Sequence, residues 1–135
     1  MLLTFHIIIA SAWLGLVAGE TAMELMAKSR ETKSFVAQVH RTIDIYVEGP
    51  LMSLTLITGS ILLWDIWPEV STLLLVKVAA GVIAVIANVI CIHWVIERAR
   101  ATTDEAFKGW AAKIKLTGYT IPFAVVALGL GIYGV

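Results

Sequence analysis

Four long apolar segments constrain the fold of this chain more than any other feature of its sequence. Each is close to the roughly 20 residues that an α-helix needs to cross the hydrocarbon core of a bilayer. Charged residues make up only 15% of the chain, whereas a soluble domain has roughly 25%. The sequence therefore predicts a single all-helical domain, residues 1–135, with four membrane spans at residues 2–18, 50–67, 73–95 and 116–135.

The positive charges are distributed unevenly between the connections of these spans. Of the ten Lys and Arg residues, four lie between the first and second spans and five between the third and fourth, and the connection between the second and third has none. The positive-inside rule then predicts an antiparallel four-helix bundle with both termini outside and the basic connections in the cytoplasm. We accordingly expect an integral protein of a bacterial or archaeal inner (plasma) membrane, surrounded by lipid.

Local signals predict where the helices begin and where they are interrupted. The polar residues 28–33 predict a turn, with the second helix starting near Ser34. Gly49-Pro50 predicts an interruption in that helix, because proline has no backbone N–H to donate. Residues 102–105 have the composition of an N-cap for a short amphipathic segment, residues 106–115, which leads along the inner surface into the fourth span.

Seven ionisable side chains lie at helical spacing where the first three hydrophobic helices end: Glu20, Glu24, His40, Asp44, Glu48, His93 and Glu97. Residues four apart on an α-helix differ by only about 40° around the axis, so adjacent members share a face. A rise of 1.5 Å per residue brings all seven to one layer at the cytoplasmic edge of the hydrocarbon. Ionisable groups at such a depth are costly, and they indicate a functional site.

Imidazole and carboxylate groups on facing helices are ligands from which helix bundles build metal sites. The mixed set suits zinc, iron or manganese better than copper(I), which prefers sulfur. The sequence thus predicts an integral membrane metal-binding protein, with a site that could be redox-active. Two alternatives are that the carboxylates form solvated ion pairs with residues such as Lys28, Arg98 or Lys113, and that the layer is part of an ion or proton path.

A second, smaller group of polar residues is predicted near the outer surface. His6 and Lys77 each lie roughly 8 Å from the outer end of their helix. Neighbouring helices would bring them to similar heights. The alternatives are an ordinary interfacial histidine and a lysine that extends its ammonium group to the outer headgroups.

Three stretches carry a resemblance to known families: residues 5–15 (FHIIIASAWLG), 50–59 (PLMSLTLITG) and 75–78 (LVKV). They resemble the small helical membrane proteins related to HemJ-type protoporphyrinogen oxidase and the copper-resistance D family. The resemblance implies that His6 is an axial ligand of a b-type haem, that Lys77 is its functional companion, and that a quinone or porphyrin is a partner. The chain departs from the HemJ pattern after Gly15, where residues 16–26 carry two glutamates. Haem binding is therefore the alternative to metal binding, and either cofactor is compatible with an oxidoreductase.

Several other classes of function are excluded or left open by the sequence. It has no basic aromatic surface for nucleic acid, no phosphate-binding glycine loop and no nucleophile elbow.

Cys91 is the single cysteine, which rules out an internal disulfide. Gly15 and Gly19 have the spacing of a small-residue helix contact, and the apolar faces that four helices leave uncovered predict a homodimer.

Overall fold

The computed structural model describes residues 1–133, and these form a helical chain. Its helices are α1 (Leu2–Met26), α2 (Arg30–Ile43), α3 (Gly49–Ile66), α4 (Thr72–Arg100), α5 (Asp104–Thr117) and α6 (Ile121–Ile132). A π-helical turn, Asp44–Glu48, joins α2 to α3, and a 3₁₀ turn, Gly118–Thr120, joins α5 to α6. The chain thus has four helical segments that are long and apolar enough to cross a membrane: Leu2–Met26, Arg30–Ile66, Thr72–Arg100 and Asp104–Ile132.

Four helical segments that are long and apolar enough to cross a membrane are confirmed at the predicted places along the described chain, and these helices extend further than their apolar parts. Helix α2 begins at Arg30, so the predictions of a turn over residues 28–33 and of a start near Ser34 are wrong. The reason is that Ser29 caps the helix: its hydroxyl oxygen accepts a hydrogen bond of 3.1 Å from the backbone N–H of Thr32. The end of the predicted fourth span, at Val135, lies outside the described residues.

The predicted N-cap ahead of the fourth segment is confirmed. The Thr103 hydroxyl accepts a hydrogen bond of 3.2 Å from the backbone N–H of Ala106. Helix α5 packs against α4 and continues through the 3₁₀ turn into α6. The amphipathic segment is therefore part of the fourth helical segment.

Apolar side chains lie mainly on the outside of the bundle. In the most apolar window of each segment, only 11–17% of the residues are buried within the protein. Four of the nine buried hydrophobic residues in the described chain are alanines, and Ala37, Ala80 and Ala84 are among them. An outer surface of this kind is stable when lipid covers it, and it agrees with four segments that cross a membrane.

The packing of the segments does not include the small-residue helix contact predicted at Gly15 and Gly19. Helix α1 packs against α3 and α6, and α4 packs against α2, α5 and α6. Gly15 and Gly19 are both exposed, and a Cβ added at either one would meet no atom within 4 Å. Within the described chain these glycines therefore do not form the close helix contact that their spacing suggested.

The interruption predicted at Gly49-Pro50 takes the form of the π-helical turn immediately before it. The Gly49 N–H donates to the carbonyl of Asp44, five residues earlier. A Cβ at residue 49 would lie only 3.0 Å from that carbonyl oxygen, which explains why glycine stands there. Proline at position 50 would clash with the carbonyl four residues before it in a regular α-helix, and the wider turn relieves this crowding.

Candidate functional site

Among residues 1–133, six polar or charged residues are buried in the helical bundle: Glu20, His40, Asp44, Glu48, Thr58 and Arg98. Four of them belong to the layer that the sequence predicted, and Arg98 joins them from α4. Each of these five residues is at most 6% exposed. Because buried charges are costly unless they are paired or bind a cation, this cluster is the candidate functional site.

The π-helical turn explains how three site residues come from one segment. Four residues of an α-helix complete slightly more than one turn, whereas four residues of a wider π turn complete slightly less. The rotation around the helix axis from His40 to Asp44 therefore exceeds a full turn, and the rotation from Asp44 to Glu48 falls short of one. The two deviations oppose each other, which keeps the three side chains on one face. All three side chains are buried, while Tyr46, within the same turn, is 75% exposed.

Three ligand atoms converge at the centre of the cluster. His40 Nε2 lies 3.7 Å from Glu20 Oε2 and 3.5 Å from Asp44 Oδ1. All three residues offer a ligand atom within 4.8 Å of the others. Two ligands bound tetrahedrally to one Zn²⁺ at 2.0–2.2 Å are about 3.4 Å apart. The spacing in the structure is slightly wider than that of a closed tetrahedral site.

The orientation of the His40 ring is fixed from its other nitrogen. His40 Nδ1 lies 2.8 Å from Glu24 Oε1, and the Arg98 guanidinium donates to the same oxygen at 2.5 Å. An ionised carboxylate only accepts hydrogen bonds, so we assign Nδ1–H as a second donor to the Glu24 carboxylate. Arg98 Nη2 also lies 3.3 Å from Nδ1, and in this tautomer it makes no hydrogen bond to the ring. In this tautomer Nε2 carries the lone pair that faces Glu20 and Asp44. A carboxylate that orients the far nitrogen of a histidine is characteristic of metal sites.

Several carboxylate oxygens of the cluster have no hydrogen-bond partner among the described residues. They are Glu20 Oε1 and both oxygens of Asp44. The Asp44 carboxyl faces the carboxyl groups of Glu20 and Glu48, which offer it no donor when they are ionised. Glu48 is only partly satisfied, because Trp13 Nε1 donates to its Oε1 at 3.1 Å. Two carboxylate charges about 4 Å apart repel each other by about 4 kcal/mol at an effective dielectric constant of 20. The cluster therefore needs a bound cation or protons to be stable.

The structure does not bring all seven predicted residues together. Glu20, His40, Asp44 and Glu48 converge, and Glu24 contacts the cluster through His40. His93 is exposed, and its ring lies edge-on to Trp110 with 6.4 Å between the centroids. Glu97 pairs with Arg100 at 3.3 Å near the surface. The sequence-based assignment of His93 as a nitrogen donor is thus not reproduced by the packing of α4.

Two contributors to the cluster were missed as site residues. Arg98 was counted among the basic residues of a connection and as a partner for surface ion pairs, yet its side chain is 2% exposed. Trp13, seven residues before Glu20, is also buried. The seven-residue spacing of His6, Trp13 and Glu20 predicts one stripe along α1 that could line the bundle interior, and Trp13 and Glu20 are buried as this predicts. The spacing did not identify Trp13 as a hydrogen-bond partner of the site. For Arg98, the signal was a lone positive charge at the depth of several carboxylates.

The second predicted group also forms contacts in the structure. His6 Nδ1 lies 2.8 Å from the Thr58 hydroxyl, which itself donates to the carbonyl of Leu54. His6 Nδ1–H is therefore the donor, and Nε2 keeps its lone pair. The Lys77 side chain lies against Gly131 of α6, since a Cβ there would be 3.4 Å from Lys77 Nζ. Gly59 lies against that ring, since a Cβ there would be 3.1 Å from His6 Cε1.

A large cavity adjoins the carboxylate cluster. Its volume is about 860 Å³, and its wall includes Glu20 and Glu48 from the cluster together with Trp13. Cys91 also lines it, and its thiol accepts a hydrogen bond of 3.2 Å from the Thr117 hydroxyl. The cluster therefore lies beside a space of the size that small-molecule ligands occupy.

No protein-family model, curated protein or solved structure matches this chain. The class that the structure itself defines is an all-helical protein with four membrane-length apolar segments and a buried histidine and carboxylate group that could hold a metal ion.

Proposed function

We propose that this protein is an integral membrane metal-binding protein whose site is formed by Glu20, His40, Asp44 and Glu48. The observation that carries the proposal is the buried convergence of His40 Nε2 with the Glu20 and Asp44 carboxylates. Three oxygens of these carboxylates have no hydrogen-bond donor among the residues that the structure describes. A divalent cation would bind these oxygens and offset the repulsion between the carboxylates.

Each residue has a distinct role in the proposed site. Glu20, Asp44 and His40 are the direct ligands, and Glu48 is a fourth candidate because Trp13 occupies only one of its oxygens. Glu24 orients His40, and Arg98 balances the charge of Glu24. One nitrogen and up to three carboxylate donors suit zinc, iron or manganese.

One side of the proposed site faces the cavity, so the chemistry of the site depends on which molecules reach it from there. Glu20 and Glu48 are both in the cavity wall, so a molecule in the cavity would approach the ion from that side. A bound ion with an open coordination position supplies Lewis-acid or redox chemistry. The protein would contribute an apolar surrounding and a histidine held in one tautomer.

Metal analysis of purified protein tests the proposal, and His93 supplies a matched control for His40. We expect about one zinc, iron or manganese ion per chain in the wild type and in His93→Ala. His40→Ala and Asp44→Asn should each lower the metal content at least tenfold, since loss of a direct ligand exceeds the 10- to 100-fold cost of losing an outer partner. Equal metal content in His40→Ala and the wild type would contradict the proposed site.

Haem binding at His6 is a second candidate, favoured by one observation. Because His6 Nδ1 donates to Thr58, the neutral ring has its lone pair on Nε2, the atom through which a histidine would act as an axial haem ligand. The resemblance to the HemJ-type and copper-resistance D proteins supports the same residue, with Lys77 beside it. A Soret band in the purified protein that His6→Ala abolishes would establish this candidate, and an absorption spectrum without the band would remove it.

Proton or ion conduction is a further alternative, because protons can also satisfy the buried carboxylates. Glu48 is the residue to test, since it lies in both the cluster and the cavity wall. Proteoliposomes with a pH gradient should show a proton flux that Glu48→Gln abolishes if conduction is the function. A metal-loaded protein without such a flux favours the metal-binding proposal.

We further infer an antiparallel bundle in an inner membrane, with both termini outside. The support is the concentration of basic residues in the two connections that the positive-inside rule assigns to the cytoplasm. Reporter fusions at each terminus should be active only for a reporter that folds outside the cytoplasm. A homodimer is the expected assembly, and cross-linking in membranes at low protein density tests it.

A further inference from the structure

The cavity beside the site has a wall whose character changes from one end to the other. Along α1 it extends from Trp13 to Leu25, which is about 18 Å at 1.5 Å per residue. Near Trp13 the wall is mainly apolar, with Leu14 and Val17 from α1 and Ala84 and Ala87 from α4. Its polar groups there are the Glu48 carboxylate, which accepts from Trp13, and the Asn88 amide. A small polar molecule would not bury the apolar side chains of this part of the wall, whereas a hydrocarbon chain would.

The opposite end of the cavity is strongly cationic. Six basic side chains line it: Lys28, Arg30, Lys33, Arg98, Lys108 and Lys115. Two of these have partners, since Arg30 pairs with Asp104 at 2.6 Å and Arg98 pairs with Glu24. The four lysines form no ion pair with any of the residues that the structure describes.

These lysines come from two separate parts of the chain. Lys28 and Lys33 flank the start of α2, while Lys108 and Lys115 lie on α5. The ion pair between Arg30 and Asp104 joins these two parts at the same cavity. The positive charge is thus gathered by the tertiary structure around one opening, rather than by a local run of basic residues.

We propose that this cavity binds an anionic phospholipid, with the phosphate headgroup between the four lysines and an acyl chain along the apolar wall. Basic pockets between transmembrane helices bind anionic headgroups by the same charge complementarity. The volume of about 860 Å³ is within the range of small-molecule sites. This inference rests on the cavity and not on the metal, so either proposal can fail alone.

The test is lipid binding to the full chain in detergent, measured by native mass spectrometry with a chelator present to remove metal ions. We expect phosphatidylglycerol to remain bound and phosphatidylcholine to be lost. The double variant K28Q/K108Q should bind phosphatidylglycerol roughly 30-fold more weakly, from about fivefold for each lysine. Lys113→Gln is the matched control, because Lys113 is on α5 but stacks on Trp110 outside the cavity wall, and it should bind as the wild type does.

A second variant separates the cavity from a general attraction to positive charge. Ala87→Phe fills the apolar part of the cavity and leaves every lysine in place, so it should also weaken phosphatidylglycerol binding. Ala79→Phe, at an exposed position on α4, should not. Equal retention of both lipids, or unchanged binding in both the double-lysine and Ala87→Phe variants, would overturn the proposal. Full competition by inorganic phosphate alone would also overturn it, because a site for free phosphate does not need the apolar wall.

Discussion

The buried ion pair between Arg98 and Glu24 allows a quantitative test of the cluster that does not depend on which metal binds. Arg98→Met removes the guanidinium but keeps a side chain of similar length. The Arg98 side chain is 2% exposed and that of Glu24 is 25% exposed. Removing one partner of a fully buried pair costs 3–5 kcal/mol. Because Glu24 is partly exposed, we expect a loss of about 2–3 kcal/mol in the free energy of unfolding.

Arg100→Met provides the control, since Arg100 is on the same helix two residues later. Its side chain is 64% exposed and pairs with Glu97 at 3.3 Å. Surface pairs of this kind contribute about 0–1 kcal/mol, so the control should lose less than about 0.5 kcal/mol. Unfolding by sodium dodecyl sulfate in mixed micelles, followed by circular dichroism without metal, gives both values.

A double-mutant cycle with Glu24→Gln tests whether Arg98 acts through Glu24. If it does, the double variant should be no more than about 1 kcal/mol less stable than Arg98→Met, because the partner left unpaired is no longer charged. Equal losses for Arg98→Met and Arg100→Met, or fully additive effects of the two cluster substitutions, would refute the reasoning.

Further predictions concern two glycines, the Trp13 indole and the effect of bound metal on stability. Gly49→Ala should lower the free energy of unfolding by about 1–3 kcal/mol, because its Cβ would lie 3.0 Å from a main-chain carbonyl oxygen. Gly19→Ala, whose added Cβ would meet no atom within 4 Å, should raise the free energy of unfolding by up to about 1 kcal/mol. The same unfolding titration measures both glycine variants. Changes of the same sign in the two variants would contradict this account. Trp13→Phe removes the donor to Glu48 and should cost about 1–3 kcal/mol, whereas Trp64→Phe, at an 82% exposed position, should leave the unfolding midpoint unchanged. Saturating the site with metal at about 100 times its Kd should stabilise the fold by about 2.7 kcal/mol, and a chelator should reverse the shift in melting temperature.

The proposed site also has an expected dependence on pH. Metal ligands must be deprotonated to bind, so metal binding releases protons and weakens as the pH falls. Metal titrations at several pH values should show this loss of affinity. An affinity that does not change over the acidic range would argue against a site made of carboxylates and histidine.

The sequence by itself determined the four helical segments and much of the site. Apolar length is a local property, so the spans could be located without knowledge of their neighbours. Helical periodicity likewise placed His40 and Asp44 on one face, because residues four apart are only about 40° apart around the axis. The partial failure at the start of α2 was also local, since the capping role of Ser29 was not recognised in a polar stretch.

The tertiary structure alone decided which side of α4 faces the cluster. His93 and Arg98 are five residues apart, which places them about 140° apart around the helix axis, so both cannot point inward. Packing of α4 against α2 and α5 fixes the rotation of the helix, burying Arg98 and leaving His93 exposed beside Trp110. The chemistry of the side chains favoured the imidazole, but the rotation of a helix about its axis depends on contacts between distant segments. The sequence therefore predicted a charged layer, and only packing determined which of its residues meet.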